Sequence, residues 1–132
     1  MFDPEEVQKI PGMIEPVEQK LLYDLSSSLS LTDGDCMVEF GTFFGRSTHC
    51  IGSGLAANPT RTHSQPLFAF DSFACSAHGG FARHVQAFAK MGGVDDLIQR
   101  TNGRIDFFPI FEHYLKNKIE NNIVKAIKAE LR

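Results

Sequence analysis

The chain has 132 residues, of which 42% are hydrophobic and 22% are charged, and its formal net charge is −3. This composition is that of an ordinary soluble globular protein, and the length suits one modest core rather than two domains. The slight acidity argues against nucleic acid as the main partner, and no apolar run reaches membrane-spanning length or resembles a signal peptide.

The cysteines indicate a reducing compartment. Cys36, Cys50 and Cys75 are an odd number and do not have the spacing of a metal site. Two of them, Cys36 and Cys50, fall in elements predicted to be buried. We therefore expect reduced thiols in the core of a single cytoplasmic domain that binds neither a metal nor a membrane.

Residues 1–14 form a lead segment that we expect to lie over the surface. Glu15 and Pro16 then begin a helix, since proline is favoured in a first helical turn. An apolar stripe follows and should pack across the edge of a sheet before three serines weaken the helix; it comprises Val17, Leu21, Leu22 and Leu25.

A strand, a glycine turn and a helix follow in residues 36–57. The run Cys36–Phe40 is short and apolar, which is typical of a strand buried on both faces. Gly41 and Gly45 bracket a tight turn, and a helix is predicted over 46–57. At the carboxyl edge of a parallel sheet, this arrangement usually cradles a nucleotide-like cofactor.

Glu39 is the unusual residue of this stretch, because a buried carboxylate is costly without a partner. Its charge would repel a pyrophosphate and would attract a ligand with a positive centre and an amino group. The phosphate-binding fingerprints also fit badly. A dinucleotide motif needs glycines where Phe43 and Arg46 stand, and a Walker loop needs four residues between its glycines and a lysine in place of Arg46.

The pattern Glu39-x-Gly41-x-x-x-Gly45-x-Ser47-Thr48 resembles the first motif of class I S-adenosylmethionine-dependent methyltransferases. Its Phe-Gly-Arg-Ser-Thr portion is similar to small-molecule O-methyltransferases of the macrocin type. The commoner form of that motif has a third glycine where Phe43 stands. The alternative is that Gly41 and Gly45 only shape the connection, while Glu39 finds a local hydrogen bond.

A second strand is predicted at Leu67–Asp71. An acid at the tip of this strand is placed to accept both hydroxyls of a ribose, and the alternative is that Asp71 caps the next turn. In the resembled family, this position and the residues after it contact the cofactor. The resemblance therefore implies S-adenosylmethionine contacts from Glu39, Gly41, Thr42, Phe43, Gly45, Ser47, Asp71 and Ser72. His63, in the polar loop between the two strands, receives no role.

The remaining chain is predicted to be mostly helical. One helix should bury Phe81, Val85 and Phe88 and end at Gly92 and Gly93, and another should begin at Pro109. The adjacent acids Asp95 and Asp96 favour a solvated helical turn over a metal site. Two interpretations of the tail remain open: the family order favours a strand over 123–128, while helical spacing is also present in Ile123, Val124, Ile127 and Leu131.

The resemblance implies an α/β fold, a Rossmann-like parallel sheet with helices on both faces. It covers residues 10–75, and a complete class I methyltransferase needs more chain, so we expect a truncated cofactor-binding domain. The implied function is the S-adenosylmethionine-binding part of an enzyme that methylates a small-molecule hydroxyl, inactive alone and with no catalytic base assigned. The alternative is a non-catalytic module for cofactor sensing or protein association. We also expect self-association, or pairing with a missing C-terminal half, because the first strand would lack one neighbour.

Overall fold

The computed structural model describes residues 2–62 and 65–130, so His63 and Leu131 lie outside the described residues. Within the described residues the α-helices are α1 (Pro4–Gln8), α2 (Pro16–Ser28), α3 (Arg46–Ala57), α4 (Gly80–Met91) and α5 (Phe108–Glu120). The strands are β1 (Met37–Phe40), β2 (Leu67–Asp71), β3 (Ala74–Ser76), β4 (Gln99–Thr101), β5 (Arg104–Asp106) and β6 (Val124–Lys128), with a 3₁₀ turn at Asp95–Leu97. In this described part, no helix has the length and apolar character needed to cross a membrane.

The main sheet is parallel and has the strand order β1-β2-β6. Met37 lies opposite Leu67, which lies opposite Val124 on the far side. Helix α3 makes the crossover from β1 to β2, and α5 leads back into β6. A mixed α/β fold with a parallel sheet is therefore confirmed. Of the two interpretations of the tail, the structure has the strand, which pairs with β2.

The two faces of this sheet differ. Leu67, Ala69 and Val124 are buried on the face against which α3 and α5 pack. Val38 and Phe40 point to the opposite face and are exposed. The prediction that the first strand is buried on both faces is therefore wrong, and among the described residues the helical layer covers one face only. Cys36, just before β1, is exposed rather than a core thiol, whereas Cys50 is buried.

The segment between β2 and α5 contains a second sheet that sequence patterns did not predict. Its order is β3-β5-β4, and both pairings are antiparallel. A turn at Asn102 and Gly103 joins β4 to β5, and both residues adopt positive φ, 52° and 73°. Each strand has only three residues, too few to show an alternating pattern.

Helix α2 is oriented opposite to its prediction. Its buried residues are polar, Gln19 and Ser26, whereas the predicted inward stripe is exposed at Val17, Leu21 and Leu25. The reason is the close approach of α2 to α3 at Gly54, where an added Cβ would lie 2.5 Å from the Tyr23 carbonyl oxygen and 2.6 Å from the Ser26 Cβ. Only glycine fits at position 54, and the small Ser26 side chain faces it. The buried side chains of Gln19 and Ser26 donate hydrogen bonds to the carbonyls of residues 14 and 22, so their burial costs little.

The lead segment is anchored rather than lying over the surface. Asp3 caps the short helix α1 by accepting the Glu5 N–H at 3.0 Å. Val7 and Ile10 are fully or almost fully buried, and Ile10 belongs to the main core. That core is rich in phenylalanine, and its largest fully buried members are Phe44, Phe73, Phe107 and Phe111.

Candidate functional site

The site lies at the carboxyl edge of β1, where the strand passes through a glycine loop into α3. Gly41 donates its N–H to the Phe70 carbonyl at 2.8 Å and has φ 80°. A Cβ built on Gly41 meets no described atom within 4 Å, so the loop is open there. Gly45 caps α3 with φ 99°, and a Cβ there would collide with Leu115. Packing therefore requires glycine at 45, whereas at 41 the requirement is conformational.

Glu39 is tied to the first turn of α3. Its two carboxylate oxygens accept the hydroxyls of Ser47 and Thr48, each at 2.5 Å. Burial raises the pKa of Glu39, the two hydroxyls lower it, and the nearby charge of Asp71 adds to the rise. The local hydrogen bond considered for Glu39 is therefore present. It fixes the start of α3 against β1 and leaves the carboxylate with unused lone pairs.

Asp71 closes the same loop from the neighbouring strand. Its Oδ2 accepts the backbone N–H groups of Thr42 at 2.8 Å and Phe43 at 3.0 Å, and its Oδ1 accepts that of Phe73 at 2.8 Å. Asp71 therefore caps the turn that follows it, as the alternative interpretation predicted. Ser72 turns toward its own chain and donates to the Ala74 carbonyl at 3.0 Å.

Phe43 occupies the position where the commoner motif has glycine, and it adopts φ 51°. Positive φ is strained for a bulky side chain, so surrounding contacts must hold it. The ring stacks on Phe44 at a centroid distance of 4.0 Å and meets Phe88 at 5.7 Å. Together with the Asp71 hydrogen bond, these rings fix the loop in one conformation.

A cleft of about 130 Å³ lies in front of the loop. Its lining comes from the lead segment and the loop: Pro11, Gly12, Met13, Ile14, Gly41, Thr42, Phe43, Arg46 and Ser47. Glu39 and Asp71 stand behind this lining and support it. Thr42 is buried, and its Oγ1 has no hydrogen-bond partner in the described part of the chain. The cleft is smaller than the roughly 300–1,000 Å³ typical of sites for whole ligands, so it suits an amino-acid-sized group.

Arg46 builds the outer wall of this cleft, a role that sequence patterns did not assign. Its Nε donates to the Ile10 carbonyl at 2.6 Å, and one terminal nitrogen donates to the carbonyls of Gly12 at 3.1 Å and Ile14 at 3.2 Å. The planar guanidinium suits such a set of acceptors. A Cβ on Gly12 would approach Arg46 to 3.0 Å, so Gly12 permits this contact.

A larger groove of about 520 Å³ lies between α1 and α2, lined by Phe2, Pro4, Pro16, Gln19, Lys20 and Tyr23. It contains none of the residues that the sequence predicts for a cofactor. Its lining is mostly apolar and includes one exposed cation, Lys20, which is paired with Asp24 at 2.7 Å. The loop cleft is smaller, but it has the converging backbone groups and carboxylates that a polar ligand needs.

The structure therefore gathers the predicted residues Glu39, Gly41, Ser47 and Asp71 at the adjacent carboxyl ends of two parallel strands. Comparison with known proteins adds no assignment. No model of a known protein family matches the chain, and a search of curated proteins found no relative. Among residues 2–62 and 65–130, no cluster of three or more His, Cys, Asp or Glu side chains is arranged to hold a metal ion.

Proposed function

We propose that this chain is the S-adenosylmethionine-binding part of a methyltransferase that acts on a hydroxyl of a small molecule. One observation carries the proposal. The loop at Gly41 leaves open space at the carboxyl end of β1, directly beside the supported carboxylate of Glu39 and the start of α3. The residues on either side form the pattern by which the chain resembles class I methyltransferases.

The cleft suits the amino-acid end of that cofactor. Its volume of about 130 Å³ matches a group of amino-acid size rather than a whole nucleotide. The first turn of α3 carries unpaired backbone N–H groups and the positive end of the helix dipole, which favour a carboxylate. Glu39 lies behind the loop, where its negative charge favours an ammonium or a sulfonium. Thr42 adds a buried hydroxyl that has no hydrogen-bond partner among the described residues and is available to a polar ligand.

Asp71 is the proposed contact for the ribose. Its oxygens already accept three backbone N–H groups, so a ribose hydroxyl would use the lone pairs that remain. A carboxylate held by three hydrogen bonds is fixed in position, so it needs no reorganisation when a ligand arrives. Ser72 is the neighbouring polar contact, and its hydroxyl is available after giving up its bond to the Ala74 carbonyl.

S-adenosylmethionine, when bound, would supply a methyl group activated by a sulfonium. The chain's contribution is to orient that group: the glycine loop fixes the amino-acid end, and Arg46 keeps the Ile10–Ile14 wall in place. Positioning of this kind can account for much of a rate enhancement. The base for the acceptor hydroxyl is not assigned to any described residue.

Calorimetric titration with S-adenosylhomocysteine tests the proposal, and it suits a chain without tryptophan. We expect saturable binding at one site per chain. ADP is the matched control ligand, because it keeps adenosine but replaces the amino-acid end with a pyrophosphate that Glu39 disfavours. Equal affinity for both ligands would indicate a nucleotide site of another class, and no binding of S-adenosylhomocysteine would overturn the proposal.

A second candidate function is a non-catalytic module for protein association or cofactor sensing. The exposed apolar stripe of α2 favours it, because a helix that turns apolar residues to solvent marks an interaction surface. The association form of this candidate predicts stable association without binding of S-adenosylhomocysteine, so the same titration separates it from the methyltransferase proposal. A cofactor-sensing module would also bind S-adenosylhomocysteine, and the titration does not separate that form.

A further inference from the structure

The outer edge of β1 has unpaired backbone groups. The bond from the Gly41 N–H to the Phe70 carbonyl directs the backbone groups of Gly41, and of alternate residues before it, toward β2. Those of Val38 and Phe40 consequently point away from the sheet, because successive residues of a strand alternate in direction. Among residues 2–62 and 65–130, no strand pairs with this edge, since β1 pairs with β2 alone.

The β1 edge also lacks the features that normally prevent pairing between chains. Val38 is 43% exposed and Phe40 is 64% exposed. The single charge of the strand, on Glu39, is turned inward to Ser47 and Thr48. At the opposite edge of the sheet, β6 carries Lys125 and Lys128, and lysine on an edge strand disfavours association. In the part of the chain that the structure describes, one edge of the sheet is thus protected and the other is open.

We propose that β1 pairs with β1 of a second copy of this chain, antiparallel and related by a two-fold axis through Val38. The two sheets then form one continuous six-stranded sheet, and both open edges disappear. Two-fold pairing uses the same surface on both copies, so it needs no other partner. This inference does not depend on the proposed cofactor. A chain that dimerises but does not bind S-adenosylhomocysteine would keep it.

Backbone direction and charge together select the register. In an antiparallel pair centred on Val38, both Val38 residues exchange their free N–H and C=O groups, and Phe40 pairs in the same way with Cys36 of the second copy. Glu39 then lies opposite Met37. A register centred on Glu39 would use the same free backbone groups, with Val38 opposite Phe40, but it would place two carboxylates opposite each other. The Val38 register is therefore the favoured one.

Strand pairing alone would bury too little surface for a stable dimer, which needs on the order of 1,200 Å². A neighbouring apolar groove supplies more. It has a volume of about 300 Å³ and lies between α2 and β1, lined by Leu22, Leu25, Ser26, Leu29, Met37, Val38, Ile51 and Leu67. Leu25 of this groove and Leu21, one helical turn before it, are exposed. The two-fold axis brings this groove toward the same groove of the second copy.

Sedimentation equilibrium is the first test. We expect a monomer–dimer equilibrium at micromolar concentration that shifts to monomer in Val38→Lys, since the added charges would meet on the axis. Met91→Lys is the matched control, because Met91 is 77% exposed at the end of α4, outside the proposed interface. Circular dichroism establishes that both variants are folded. A wild-type monomer would overturn the proposal, as would a dimer that is unchanged in a folded Val38→Lys variant.

Disulfide mapping tests the register and avoids a disruptive charge. Phe40→Cys should cross-link to the native Cys36 of a second copy, which is exposed and free. Directly opposed residues of a hydrogen-bonded pair have Cα atoms about 5.5 Å apart, within the range for a disulfide. Met91→Cys is the control and should not form a specific dimer. Mass spectrometry that finds another pairing, or no intermolecular pairing after mild oxidation, contradicts the proposed register.

Discussion

The carboxylate of Asp71 accepts the backbone N–H of Thr42 across two parallel strands, at a distance of 2.8 Å. The two residues are 29 positions apart in the chain. The same oxygen accepts the next N–H, that of Phe43, so one side chain at the end of β2 holds the loop that follows β1. Asp71, the residue predicted to bind a ribose, thus has a structural role that does not depend on a ligand.

Replacing Asp71 should therefore affect stability and binding together. In Asp71→Asn, the side-chain NH₂ group would face a backbone N–H, because the native carboxylate accepts with both oxygens. We expect a loss of about 1–3 kcal/mol in the free energy of unfolding, measured with urea. Asp106→Asn is the matched control, since Asp106 accepts one backbone N–H, that of Phe108, and its second oxygen meets only the exposed Lys128 ammonium at 3.4 Å. Equal losses in the two variants would show that Asp71 does not hold the loop.

Arg46 offers a separate test of the cleft wall. Arg46→Lys keeps the charge but replaces a planar donor set with a single ammonium, so the Ile10, Gly12 and Ile14 carbonyls lose geometric partners. We expect faster hydrogen exchange and proteolysis within residues 7–14, and weaker binding of S-adenosylhomocysteine. Arg83→Lys, on the exposed side of α4, is the control. Protection of residues 7–14 that matches this control would contradict the assigned role.

His49 predicts a pH dependence of stability. Burial, followed by the charge of Lys118, whose Nζ lies 3.3 Å from Nδ1, lowers the pKa of His49 to about 4 from its usual 6.5. Between these two pH values, His49 is protonated in the unfolded chain but stays neutral in the folded chain. The free energy of unfolding therefore has its full value with respect to His49 above pH 6.5, and it decreases as the pH falls toward 4.

We expect that loss to be on the order of 2 kcal/mol, reduced from the full shift because the ring is partly exposed. Urea unfolding across this range should show a weaker pH dependence in His49→Gln than in the wild type. The exposed His84, replaced in the same way, is the control. A pH dependence unchanged in His49→Gln would show that His49 is not the group responsible.

Local patterns predicted the elements that build the site. The strand at Leu67–Asp71 and the helix at Arg46–Ala57 have their predicted bounds, because glycine turns and apolar runs act within a few residues. The prediction of the orientation of α2 was wrong because an apolar stripe can face solvent as well as a core. The side of α2 that faces inward is the side that contacts Gly54. Arg46 could not be assigned because its acceptors lie 32 to 36 positions earlier and converge only in the folded chain.

The most direct measurement compares two glycine variants in the S-adenosylhomocysteine titration. Gly41→Val and Gly34→Val both place a β-branched residue at positive φ, 80° and 98°, and at both positions an added Cβ meets no described atom within 4 Å. The strain on the fold should therefore be similar, but only Gly41 lines the cleft. We predict that Gly41→Val abolishes binding, whereas Gly34→Val retains the wild-type affinity. Unchanged affinity in a folded Gly41→Val variant would contradict the cofactor site and leave the loop as a connection between β1 and α3.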